Sequence, residues 1–167
     1  MPAKTRKITA ADVAKIIAVS NQATDRQAVY KAVEAVAAET CGFVFLTTLR
    51  HDEAQQVVVR LHSSDEKSYP IGGTKPINKI TASHSMTQTG EVFLAADKEQ
   101  VKAAFFDHEL IFSLGATAIL NSPIRYAGRH LGTLNFSGVS GTYGPDEVQA
   151  AKILAGLLVP TVLAEMK

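Results

Sequence analysis

"LGATAILNSPIRYAGRHLGTLNFSG", from Leu114 to Gly138, sets two alternating runs on either side of a turn at Ala127-Gly128. Alternation of period two, rich in aliphatic residues and broken by a glycine turn, reads as two antiparallel strands of one hairpin. With the pairing centred on Gly128, Asn121 falls opposite Asn135, and Ile119, Thr133 and Ser137 share their face. Ala118, Leu120, Leu134 and Phe136 form the other face. An apolar face of this kind packs on helices, which leaves the amide face toward whatever the opposite side of the sheet encloses.

The flanks supply those helices. Downstream, Pro145 suits a first helical turn, Asp146 and Glu147 suit its positive end, and an amphipathic helix runs from there through Leu163, with Pro160 kinking or closing it. Upstream, FFDHELIFSLG reads as a helix stopped by Gly115, and EVFLAAD as a short strand. Asn78 is a candidate cap for a helix through Ile80, His84 and Thr87 to Gly90. Residues 67 to 76 hold Pro70, Gly72, Gly73 and Pro76 and read as an irregular crossing segment. GFVFLTTLRH and QQVVVRLHSS, joined by a turn at Asp52-Glu53, form another antiparallel pair. Before them, Thr24 caps a helix with a stripe of Ala28, Val29, Ala32, Val33, Val36 and Ala37 that ends near Cys41-Gly42. A first helix begins at Thr9, with Asp12 three residues on and Val13, Ile16 and Ile17 at helical spacing.

Composition restricts the function. The 167 residues suit one domain, with 46% hydrophobic and 20% charged residues and a formal net charge of +1. That balance gives no electrostatic pull toward nucleic acid or a membrane. The start, MPAKTRKITAADVAKI, reads as neither a signal peptide nor a membrane span, and the single cysteine makes a reducing cytoplasm the expected compartment. One cysteine, Cys41, leaves no internal disulfide and no multi-cysteine metal site, and it reads as a small buried apolar residue. No Gly-rich phosphate loop, Gly-x-Ser-x-Gly elbow or His-Glu-x-x-His appears, so no catalytic residue and no metal ligand is assigned.

The order of these segments resembles the GAF domain family over roughly residues 24 to 165. Carrying the resemblance are the helix ending in Cys41-Gly42-Phe43, TGEVFLAAD from Thr89 to Asp97, LGATAILNSPI from Leu114 to Ile124, and GRHLGTLNFSG followed by YGPDEVQAAKILA. The resemblance implies an α+β fold with a central antiparallel sheet of five to six strands, terminal helices on one face and a ligand pocket on the other. It divides the chain into an N-terminal helix at residues 1–20, acting as a cap or a dimerisation element, and a GAF domain at 21–167. It also implies a sensory or regulatory role: binding of a small metabolite or organic acid, a homodimer built on the first and last helices, and a separate effector chain.

Subclasses of the family can be checked against the residues. Free methionine sulfoxide reductases use several cysteines so that one thiol resolves another, and only Cys41 is present. Bilin-binding members need a cysteine near the pocket, whereas Cys41 lies where the second helix meets the first strand. The dispersed signature of cyclic-nucleotide members has no evident counterpart.

The candidate ligand-binding residues are Arg60, His62, His84, Phe105, Asp107, Asn121, Thr133 and Asn135. Arg60 and His62 alternate with Val59 and Leu61, which puts them on one side of the sheet, and the guanidinium suits a carboxylate or phosphate. His84 shares a helix face with Ile80 and Thr87. A phenylalanine of the 105–106 pair forms a pocket wall, and Asp107 suits helix N-terminal amides better than a ligand. The two asparagines orient a ligand through hydrogen bonds, or bond each other. No cofactor is expected. Two rival readings are an acid–base enzyme using His84, Asp107 or His62, and a structural dimer whose pocket is filled by side chains.

Overall fold

In a computed structural model of the chain, which describes residues 4–79 and 86–166, a six-stranded antiparallel sheet forms the centre. Its strands are β1 (Phe45–Asp52), β2 (Val57–Ser63), β3 (Thr74–Pro76), β4 (Phe93–Ala95), β5 (Ala118–Tyr126) and β6 (Arg129–Gly138), in the order β3-β2-β1-β6-β5-β4. β1 and β6, from opposite ends of the chain, lie side by side at the middle, so their two hairpins close into one sheet.

Helices cover one face. These are α1 (Ala10–Gln22), α2 (Arg26–Thr40), α5 (Pro145–Leu157) and α6 (Val159–Glu165). Thr9 and Asp12 form the capping box expected for α1, while α2 starts one residue later than expected, because Asp25 rather than Thr24 accepts the first amide. The last helix is broken. α5 and α6 are bent by 47° at Leu158, and Pro160, which has no N–H to continue the ladder, falls in the first turn of α6. No single helix among the described residues is long and apolar enough to cross a membrane; the bent pair passes that test only when joined, and its Ala151, Leu154, Ala155, Leu158 and Val162 are buried.

The inner faces of these helices meet Leu46, Leu61, Leu120, Leu134 and Phe136 of the sheet in one core with Ile16, Tyr30 and Val33. Burying each such side chain contributes about 1.5–3 kcal/mol, which is why the alternating pattern fixes which side of the hairpin faces in. Cys41 belongs to this core, with no exposed surface and its Sγ 3.6 Å from the Glu147 carbonyl. Burial pushes its thiol pKa up to about 12. Cys41→Ala is therefore expected to cost about 1 kcal/mol in chemical denaturation, and the native thiol to resist Ellman's reagent until the chain unfolds. Rapid labelling of the folded protein would contradict this placement.

On the opposite face lie α3 (Lys98–Ala104), α4 (His108–Ser113) and a smaller core of Phe45, Tyr69, Ala95, Val101, Ile111, Ala116 and Ile119. The expected helix over FFDHELIFSLG is shorter than its sequence, since Phe105–Asp107 are outside it. α3 was not anticipated; its signal is Asp97, whose side chain accepts from the Gln100 amide. The crossing segment contains β3 as well as loop, and Asn78 lies within a 3-10 turn, Ile77–Lys79, while the start of the helix it was expected to cap is outside the described residues. Ile80 and His84 of that expected helix are outside the described residues; residues 86–89 are helical.

Candidate ligand-binding site

Between the sheet and the α3–α4 side is a cavity of about 60 Å³. The odd-numbered face of β1 supplies Phe45, Thr47 and Leu49; β5 supplies Ile119 and Asn121; β6 supplies Thr133, Asn135 and Ser137. These are one continuous row, because Asn121 pairs with Asn135 and Asn135 with Thr47 across the three strands. The Asn121–Asn135 pairing agrees with the sequence reading, but the turn differs. Tyr126 pairs with Arg129 around the two residues Ala127 and Gly128, and a bulge at Leu131 then restores the register.

The asparagines do not bond each other. Asn135 Nδ2 donates to Thr47 Oγ1 at 3.3 Å, and Oδ1 of Asn121 and Oδ1 of Asn135 are buried with no partner among the described residues. Arg60 arrives from β2 and is 6% exposed. Its guanidinium carbon sits 5.0 Å from the centre of the Tyr69 ring, and that ring stacks on Phe45 at 4.9 Å. Nη1 donates to the Pro70 carbonyl at 3.0 Å, whereas Nε is buried without a partner among the described residues. Gly73 makes room for this: a Cβ there would lie 2.5 Å from Arg60 Nη1. Burial draws the guanidinium pKa down, with Tyr69 and Asp107 opposing, and an arginine retains its charge under such a shift.

Asp107 precedes α4 but makes no side-chain cap to it, contrary to expectation. Its Oδ2 instead accepts from Lys75 Nζ at 2.6 Å and from the Tyr69 hydroxyl at 3.2 Å, and its Oδ1 is buried without a partner among the described residues. Phe105, Phe106, Met86 and Ile111 complete the apolar wall, with Lys75 and Lys79 on the β3 side. Thus Arg60, Phe105, Asp107, Asn121, Thr133 and Asn135 line one cavity.

His62 does not. The expectation that it shares a face with Arg60 fails because β2 carries a bulge: Thr48 pairs with His62 but Leu49 pairs with Arg60, so Leu61 is an extra residue and the alternation skips. His62 consequently turns to the helical face, where it stacks on Tyr30 and bonds Gln27 and Glu34 of α2. The acid–base arrangement loses one of its members there. His84 lies outside the described residues. Tyr69, Lys75 and Lys79 were missed in the sequence, since they stand in or beside a segment that reads as loop.

Neither a family model nor a curated protein matches the sequence. Solved structures do. The GAF domain of a phosphoenolpyruvate-protein phosphotransferase from Coxiella burnetii is similar with a TM-score of 0.77 at 17% identity, covering 93% of each chain. The GAF domain of the Acinetobacter phosphoenolpyruvate-protein phosphotransferase gives 0.74 at 11% identity, over 95% of this chain and 97% of that one. The GAF domain of a two-component sensor histidine kinase from Bacillus halodurans gives 0.68 at 15%, over 87% of this chain and all of the other. The chain therefore has the GAF fold, with terminal helices on one sheet face and a cavity on the other.

Proposed function

We propose that this GAF-fold chain is a sensory or regulatory module that binds a small anionic metabolite in the cavity between its sheet and the α3–α4 side. The observation that carries the reading is Arg60: a buried guanidinium at the cavity wall, anchored through Nη1 and with Nε unmatched among the described residues. A buried donor without an acceptor is costly, and a carboxylate or phosphate is the ligand group that a guanidinium edge accommodates best. Lys75 and Lys79 reinforce the positive field. An open cavity also argues against a module whose pocket is filled by its own side chains.

Signalling follows from the sheet. Residues at the cavity alternate along β1, β5 and β6 with residues that support the helices, and the β2 bulge turns Arg60 to the cavity and His62, two residues on, toward Glu34 of α2. A ligand that moves Arg60 thus acts on the helical face, from which a homodimer or a separate effector chain reads the change. Native mass spectrometry of the purified protein, followed by denaturation, identifies any retained compound. Against that compound, Asn135→Leu is expected to weaken binding by about ten- to a hundredfold, which corresponds to roughly 1–3 kcal/mol for an unmatched buried polar group, and Arg60→Leu to weaken it more. Unchanged affinity in both variants, with the fold intact, would move the ligand elsewhere.

A further inference from the structure

We infer that the ligand is a short hydroxycarboxylate, an anion that also donates a hydrogen bond through a neutral hydroxyl. The inference rests on the anion-binding reading above and adds the identity of the second group. Three residues of the cavity wall carry a buried acceptor oxygen without a donor among the described residues: Asn121, Asn135 and Asp107, each through its Oδ1. An asparagine amide can turn end for end, so the first two do not fix the polarity of their partner. Asp107 does. Its Oδ2 takes both Lys75 and Tyr69, and its Oδ1, an oxygen of a carboxylate beside an ammonium, calls for a donor.

Charge decides which donor. Among the described residues of the wall, Arg60 is buried and Lys75 and Asp107 are partly buried, one cation in excess, while Lys79 is exposed. A carboxylate bearing a hydroxyl cancels that excess. An amino acid, neutral overall, leaves it, and would place an ammonium against Lys75 on the same carboxylate. The spacing is short: Arg60 lies over the Tyr69 ring and Asp107 bonds the hydroxyl of that ring, so the two subsites are separated by one phenol. Phe45, Ile111 and Ile119 offer an apolar wall to the rest of a small aliphatic chain.

Calorimetric titration of the full chain with lactate, 2-hydroxybutyrate and 3-hydroxybutyrate, each beside propionate or butyrate and beside alanine or 2-aminobutyrate, tests this. At least one hydroxy acid should bind about tenfold or more tightly than its deoxy and amino counterparts. Asp107→Ala should bring the hydroxy and deoxy acids to within about twofold of each other, with carboxylate binding retained because Lys75 is released. Equal affinity of hydroxy and deoxy acids in the wild type overturns the inference and leaves the anion site standing, as does preference for an amino acid or for inorganic phosphate. Persistence of the hydroxyl preference in Asp107→Ala also overturns it. If no carboxylate and no phosphate binds, both readings fall.

Discussion

Gly132→Ala should cost about 3–5 kcal/mol, a large share of the roughly 5–15 kcal/mol that holds a domain folded. Gly132 pairs with Arg50 on β1 and with Ile124 on β5, at the middle of the sheet. A Cβ on Gly132 would lie inside the contact distance of the Leu49 carbonyl oxygen and 2.9 Å from the Arg50 Cα, so the obstacle is backbone and not a side chain that can swing aside. The two central strands must separate or the ladder must shift, and either loosens the seam that joins the two hairpins. Thermal unfolding and soluble yield of the variant check this. A melting temperature within a few degrees of wild type would mean that the seam yields at little cost. The same substitution at Gly156, where an added Cβ meets nothing within 4 Å, is the matched control.

Gly132 also marks where sequence reading stops. In GRHLGTLNFSG it sits in a strand of good alternation, and nothing in the letters says that another backbone passes against it. The alternation of Leu120, Leu134 and Phe136 against Asn121, Thr133 and Asn135 was legible, because period two is a one-dimensional property and burial of one face enforces it. Bulges break that logic. The extra Leu61 sends His62 to α2 while Arg60 stays at the cavity, and VVVRLHS contains no glycine or proline to announce it. Tyr69 and Lys75 were invisible for another reason: a three-residue edge strand between glycines and prolines carries too little pattern to be told from loop, and their roles come from the tertiary stack with Phe45, Arg60 and Asp107.

Acidification from pH 7 to pH 5 should destabilise the protein by about 2 kcal/mol through His130, and this window separates it from ordinary acid denaturation. His51 and His130 sit edge to face, ring centroids 4.3 Å apart, and both are buried. His51 Nε2 and both ring nitrogens of His130 have no hydrogen-bond partner among the described residues. Burial, the neighbouring His51 and the Arg125 guanidinium lower the His130 pKa to about 3; burial also lowers that of His51, against the pull of Glu53. An unfolded histidine titrates near 6.5, so between about pH 6.5 and 3 the unfolded chain binds the proton that the folded chain refuses. Stability is therefore full above pH 6.5 and falls as pH drops through that range. Carboxylates with lowered pKa values, such as Asp12 beside Arg6, lose their contribution only below about pH 4. Urea unfolding at pH 7.0, 6.0 and 5.0 should thus show a steady fall in the wild type and a slope reduced by about the His130 contribution in His130→Leu. A wild-type curve that is flat over this range would mean that the pair gains its proton in the folded state, with water reaching the ring nitrogens.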